Sequence, residues 1–185
     1  MSGLDLTGQI IVSKPKNGDP YFSNSVIVVG KHGPGGSWGM IVNKPTQKIT
    51  LSVIMRQTGI LCRREDKVYV GGPVDTHRVY VLHTLDWSAP TTMEINKEIG
   101  VTTDISILAA IAGNEGPALF RTCLGMCQWG PKQLDGEYKG EAPWKPYDSW
   151  LSAPASVESV FHLTGDEQWE QSIDYVAKTQ VSSWF

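Results

Sequence analysis

The sequence predicts an α+β fold built on a mixed, largely antiparallel sheet. Short apolar runs of strand length recur along the 185 residues, and single stretches with helical spacing interrupt them. Because strands and helices do not alternate regularly, the repeated β-α-β unit of a doubly wound sheet is not indicated. No internal repeat and no linker is found, so residues 1–185 are expected to form a single domain.

Three strands are predicted near the start of the chain, at residues 8–13, 25–29 and 38–42. The second is almost entirely apolar, which is typical of a strand buried on both faces inside a sheet. The glycine-rich loop 30–37 leads into a strand and lacks Walker spacing, whereas phosphate-binding loops of the nucleotide folds lead into a helix. The second and third strands are therefore expected to form a β-hairpin.

A first helix is predicted from Leu51, Ile54 and Met55, whose spacing places them on one helical face. Thr50 is the expected N-cap, and Gly59 is the expected end of the helix.

A second helix is predicted over residues 105–112, where apolar residues recur at helical spacing. Asp104 or Thr103 is the expected N-cap, and Gly113 is expected at its end. Three further strands precede this helix, at residues 67–70, 78–83 and 93–96.

The densest meeting of turn residues, aromatic side chains and polar groups follows the second helix. Residues 118–124 form an apolar-rich run of strand length, which we expect Gly125 to end. Gly130 and Pro131 then indicate the start of a third helix, because proline has a suitable φ and loses no needed donor at the first helical position.

Two polar residues lie on one face of this third helix, beside Trp129. Gln133 and Glu137 are four residues apart, and they bring an amide and a carboxylate next to that indole. One interpretation is that they hydrogen-bond the ends of neighbouring strands, because buried polar groups need partners. The other interpretation is a ligand-binding or catalytic pair.

A late strand is predicted at residues 149–152, followed by a C-terminal helix. Trp169, Ile173 and Val176 have helical spacing, and acidic residues such as Asp166 in the first turn interact favourably with the helix dipole.

The charge of the chain argues against direct binding to nucleic acid. The formal net charge is −3, with 41% hydrophobic and 19% charged residues, as in an ordinary soluble globular protein. No run of Lys or Arg is longer than Arg63-Arg64. The basic patch expected of a nucleic-acid-binding protein is therefore missing.

Location and membrane association follow from simple sequence features. No basic-then-apolar leader is recognised, and no apolar run approaches the roughly 20 residues that span a bilayer. The three cysteines are an odd number, which favours a reducing compartment over a disulfide framework. We therefore expect a cytoplasmic protein without membrane contact.

The sequence assigns no metal, cofactor or catalytic residue. Cys123 and Cys127 have no partners at a recognised zinc spacing, and we expect them to pack as small hydrophobic side chains. His83 ends a predicted strand, where a histidine more often satisfies a backbone carbonyl than acts as a base. No nucleophile elbow of the G-x-S-x-G type is present.

Short segments in a fixed order carry a resemblance to a known family. They are residues 19–29 (DPYFSNSVIVV), 38–45 (WGMIVNKP), 70–74 (VGGPV), 81–83 (VLH) and 124–137 (LGMCQWGPKQLDGE). Each is weak alone, but their order and spacing together resemble the UPF0301 family, also called AlgH-like or YqgE-like proteins. The resemblance implies a compact α+β fold with a split sheet curled into a pseudo-barrel and helices packed on it. It implies little biochemistry, because family members are largely uncharacterised and some are regarded as candidate transcriptional regulators.

Two hypotheses about function remain open. The preferred one is a non-enzymatic binding or regulatory protein that contacts a protein or small ligand, because the distinctive residues shape backbone and few titratable groups are gathered. The alternative is a small hydrolase- or transferase-like enzyme with a cleft around His83, Trp129 and Glu137. Under either hypothesis the residues expected to contact a ligand or partner are Asn43, Lys44, Gly71, Gly72, Pro73, His83, Trp129, Gln133 and Glu137.

Overall fold

A computed structural model describes residues 3–144 and 149–185, which form a mixed α+β fold. The strands within these residues are β1 (Gln9–Ser13), β2 (Val26–Gly33), β3 (Gly36–Ile41), β4 (Pro45–Thr50), β5 (Lys67–Val70), β6 (Val74–Thr84), β7 (Met93–Glu94), β8 (Ile99–Thr102), β9 (Phe120–Trp129) and β10 (Trp150–Pro154). The helices are α1 (Leu51–Gln57), α2 (Ile105–Ala112), α3 (Gln133–Lys139), α4 (Val157–Phe161) and α5 (Gly165–Ser182).

The strands form a curled, largely antiparallel sheet in the order β10-β1-β2-β3-β9-β6-β8-β7. Strand β9 lies at its centre and pairs with β3 and β6 in antiparallel fashion. It also pairs in parallel with β5, which in turn pairs with β4, so the sheet splits at β9. The mixed, split character expected from the sequence is confirmed.

A contact between the two ends of the sheet accompanies its curl into a half-barrel. Asn96, just beyond β7, donates its side-chain amide to the carbonyl of Ala155, just beyond β10, at 3.1 Å. The Ala155 amide in turn donates to the carbonyl of Gly8 at 3.0 Å, which continues the ladder between β10 and its neighbour β1. The Asn96 bond therefore connects the two edge strands β7 and β10.

Both faces of the sheet are buried, as the apolar β2 sequence predicted. Val26 and Val28 point into the half-barrel, whereas Ile27 and Val29 belong to an outer cluster, and all are fully buried. Helices α4 and α5 fill the inside, because Val160 and Val176 join the inner cluster. A further outer cluster packs α1 and α2 against the other half of the sheet.

The structure corrects the expected end of the central strand. Strand β9 continues through Gly125, which has φ 74°, and ends at Trp129. A Cβ at Gly125 would lie 2.4 Å from the Gly72 carbonyl oxygen. The pairing with β6 also shifts register between Val74 and Val79. Glycine therefore allows β9 to take a left-handed backbone conformation in close contact with Gly72, opposite the extra residues of β6, and the strand does not end.

Some local expectations hold and others do not. Asp104 caps α2 by accepting from the Ser106 amide at 2.7 Å. Thr50 precedes α1 but makes no side-chain cap, because its hydroxyl pairs with the Ser52 hydroxyl at 2.9 Å. Within residues 3–144 and 149–185, no helix is both long and apolar enough to cross a membrane.

Candidate functional site

An open groove lies where the half-barrel is not filled by helix; we call it the mouth groove. Its volume is about 670 Å³, within the roughly 300–1,000 Å³ typical of small-molecule sites. Its lining residues come from several strands and are Lys31, Gly33, Pro34, Gly35, Gly36, Ser37, Trp38, Arg78, Tyr80, Thr91, Met93, Val101, Thr103, Met126, Gln128 and Trp129.

The floor of the mouth groove is a continuation of the inner core. Tyr80 and Val101 belong to that buried cluster, and the half-buried Trp38 and Met126 pack against it. Trp38 lies across the β2 bulge, where a Cβ on Gly30 would come within 2.2 Å of the indole. A ligand in this groove would therefore contact a preformed apolar surface.

The rim of the mouth groove is positively charged. Lys31 and Arg78 line it and are exposed, and its described lining contains no Asp or Glu. The Arg78 guanidinium lies 5.7 Å from the centre of the Tyr80 ring. Burial raises the pKa of Tyr80, opposed by Arg78 and assisted by Asp75, so this phenol remains neutral near pH 7.

A second groove lies on the outer face of the sheet, and we call it the outer groove. Its volume is about 700 Å³, and its lining includes Pro73, Trp129, Gln133 and Glu137. The sequence placed these residues in the predicted site, and the structure brings them together. Trp129 lines both grooves.

The polar groups of the outer groove are bonded to one another. The Glu137 carboxylate accepts from the indole N–H of Trp129 at 3.1 Å and of Trp150 at 3.0 Å. It also accepts from the Gln133 amide at 3.0 Å, and the Gln133 oxygen accepts from the Gly130 backbone at 3.0 Å. The carboxylate therefore joins α3 to β9 and β10, as in the interpretation that these groups tie down neighbouring strands.

Asn43 and Lys44 lie together at the start of α5, in a cleft of about 380 Å³. Asn43 is 1% exposed, and its side chain bonds Val26, Asn24 and Gly165. Lys44 donates to the Tyr21 carbonyl at 2.5 Å, and burial lowers the pKa of its amine. Both residues therefore contact the turn before β2.

Gly71 and Gly72 allow two backbone segments to cross closely. A Cβ at Gly71 would lie 2.3 Å from the Gly125 carbonyl oxygen, and one at Gly72 would lie 2.1 Å from the Met126 backbone. The Gly71 carbonyl also accepts from the Ile41 amide at 2.8 Å. These contacts explain why glycine stands at both positions.

His83 does not share a cleft with Trp129 and Glu137. It is fully buried, pairs with Phe120 at the opposite end of β9 from Trp129, and lines neither groove. Burial lowers the pKa of its imidazole. The cleft on which the enzyme alternative depended is therefore not formed by these residues.

The two β9 cysteines lie in different parts of the core. Cys123 belongs to the inner cluster and Cys127 to an outer one, because the left-handed backbone of Gly125 between them changes which face of the strand each residue occupies. Burial raises the pKa of each thiol to about 12. Among the described residues no group of three or more His, Cys, Asp or Glu is placed to hold a metal.

Apart from Trp129, the residues of the mouth groove were not among the predicted site residues. Lys31, Arg78 and Met93 come from three separate strands, and only the curling of the sheet brings them to one rim. The available signal was weak: Arg78 and Tyr80 are two residues apart, which places them on one face of a strand.

Comparison with known proteins places the chain in a family. The AlgH-like family model matches residues 10–179. Similar curated proteins include a UPF0301 protein of Cereibacter sphaeroides, 32% identical over 90% of this chain and 89% of the relative. A UPF0301 protein of Methylococcus capsulatus is 34% identical over 92% of this chain and 91% of the relative.

A solved structure agrees with this assignment. The solution structure of the AlgH protein from Pseudomonas aeruginosa superposes with a TM-score of 0.76 and 27% identity, covering 94% of this chain and 90% of that one. The chain therefore belongs to the UPF0301 family of AlgH-like proteins.

Proposed function

We propose that this protein is a non-enzymatic binding protein of regulatory type, which contacts a small ligand or another protein through the mouth groove. The observation that carries the proposal is the groove floor. Trp38, Tyr80 and Met126 present core-like apolar surface to an opening of about 670 Å³. Exposed apolar surface in a concave site, with a few polar groups at its rim, is the usual composition of a binding pocket.

The partners of the titratable groups support a binding role over a catalytic one. Glu137 accepts hydrogen bonds from two indoles and an amide, and His83 is bonded to threonines inside the sheet. A general acid or base must reach substrate through a hydrogen bond, and these two groups face protein partners.

The proposal also concerns location and partners. A cytoplasmic protein is consistent with cysteine side chains that are not joined in disulfides within the described structure.

Direct DNA binding is not part of the proposal, because the net charge of −3 gives no basic footprint. A mobility-shift assay at low salt should show only non-specific binding, and a sequence-selective, salt-steep shift would contradict this.

A thermal-shift screen of metabolites and nucleotides tests the binding function, because a ligand that favours the folded state raises the Tm. Hits should perturb the backbone amides of Trp38, Tyr80 and Met126 in NMR spectra. Met93→Asp places a charge at the exposed rim of the mouth groove and should weaken the binding of these ligands. Ile105→Asp, at a similarly exposed position on α2, should leave their binding unchanged. Ligands that bind both variants equally well would contradict the mouth groove as the site.

A further inference from the structure

The charge and shape of the mouth groove indicate the kind of ligand it takes, an inference that rests on the proposed binding function. The only charged side chains among its described lining residues are Lys31 and Arg78, and both are cations. Neither forms an ion pair with a carboxylate within the described part of the chain. Asp75 acts on Tyr80 but is not among the lining residues, so an anionic ligand would meet two cationic donors at the rim.

The floor of the mouth groove places a second requirement on the ligand. Trp38 and Tyr80 offer aromatic rings, and Met126 lies beside them with a polarisable thioether. Planar rings pack well on such side chains, because aromatic and sulfur–aromatic contacts add to the gain from apolar burial. A saturated, strongly hydrated anion would leave this surface unused.

Polar groups without charge complete the site. Ser37, Thr91, Thr103 and Gln128 also line the groove. Hydroxyl and amide groups supply donors that an anionic headgroup needs once the cations have attracted it.

We infer that the mouth groove binds a small aromatic anion, with its ring on Trp38 and Tyr80 and its carboxylate or phosphate at Lys31 and Arg78. The volume of about 670 Å³ suits a ligand of this size. Arg78 lies 5.7 Å from the centre of the Tyr80 ring, so one residue pair contributes both a cation and a ring surface. Arginine can also bind a planar carboxylate or a phosphate through two parallel hydrogen bonds.

Titrations of the full chain with matched probes test this inference. Indole-3-acetate and phenyl phosphate represent the two headgroups, indole-3-ethanol is the neutral match, and acetate and inorganic phosphate lack a ring. Binding is followed through backbone amide shifts at low salt. At least one aromatic anion should shift the amides of Trp38, Tyr80 and Met126, and indole-3-ethanol and the ring-free anions should bind at least about tenfold more weakly. The headgroup that binds more tightly identifies carboxylate or phosphate as the source of the charge.

Variants that remove the positive charges of the mouth groove provide a second test of this inference. The double variant Lys31→Gln, Arg78→Gln should weaken the anion by about tenfold, whereas Arg56→Gln, Arg63→Gln removes two exposed cations elsewhere and should change nothing. An unchanged urea midpoint shows that each variant is folded. If indole-3-ethanol binds as tightly as the anions, or the groove variant keeps full affinity, the inference is overturned while the binding function stands. If no probe shifts the groove amides at millimolar concentration, the inference also fails, and the metabolite screen then decides the proposed function.

Discussion

The imidazole of His83 accepts a hydrogen bond from the hydroxyl of Thr102 at 2.9 Å, inside the sheet. The Thr84 carbonyl can only accept, so Nδ1 of His83 carries a proton. Burial lowers the pKa of His83, so near pH 7 the ring is neutral and Nε2 has no proton to donate. Thr102 therefore donates to Nε2, and with its single proton used there it accepts from Thr92.

A neutral, buried His83 makes folding sensitive to mild acid. Burial lowers its pKa in the folded protein, whereas the unfolded chain has a histidine pKa of about 6.5. Below about pH 6.5 the unfolded state therefore binds more protons, and the free energy of unfolding decreases as pH falls. Urea unfolding between pH 8 and pH 5 should show this decrease.

Two variants separate His83 from other titrating groups. His83→Gln should lower stability at pH 8 by about 1–3 kcal/mol, because it breaks the bond chain, and should make the acid dependence shallower. His77→Gln changes an exposed histidine and should reproduce the original profile. A profile as steep in His83→Gln as in the parent would contradict the assignment.

The indole–carboxylate network predicts a specific loss for Glu137→Gln. An amide has one accepting oxygen where the carboxylate has two, so its NH₂ group would face either the Gln133 donor or the indoles of Trp129 and Trp150. We expect stability to fall by about 1–3 kcal/mol in urea unfolding. Glu141→Gln, at an exposed position just after α3, is the matched control and should be neutral.

Local patterns predicted much of the fold, and long-range pairing explains what they missed. The β2–β3 hairpin, α2 and α5 follow from apolar spacing and caps within a few residues. Strand β4 was missed because Pro45–Thr50 is polar and largely exposed, so it shows no alternation. The continuation of β9 through Gly125 involves close contact with Gly72, which no local pattern contains.

The same difference between local patterns and long-range contacts applies to the candidate site. Trp129, Gln133 and Glu137 lie within nine residues of sequence, so their grouping in the outer groove was predictable. His83 was grouped with them in the enzyme alternative although it is distant in sequence, and sheet topology separates it from them. The mouth groove depends on the curl of the sheet, and only Trp129 of its lining was among the predicted site residues.

Thiol reactivity should distinguish the three cysteines. Cys123 and Cys127 are buried, with pKa values raised to about 12, whereas Cys62 is partly exposed. Since the thiolate is the reactive form, a disulfide reagent should modify one thiol rapidly in the native protein and three after unfolding in guanidinium. Cys62→Ser should abolish the rapid phase, and a rapid phase that survives would contradict the burial of the β9 thiols.

Adding a methyl group at Gly30 tests whether Trp38 forms a preformed floor of the mouth groove. Gly30→Ala places a Cβ about where the Trp38 indole now lies, because the separation would be 2.2 Å. The ring must move off the β2 bulge, so we expect a loss of about 1–3 kcal/mol in urea unfolding and changed amide shifts for Tyr80 and Met126. Gly35→Ala adds the same methyl group in the hairpin turn, where no atom lies within 4 Å, and should be close to neutral. If the two variants behave alike, the indole does not pack on Gly30, and the groove floor is not preformed as described.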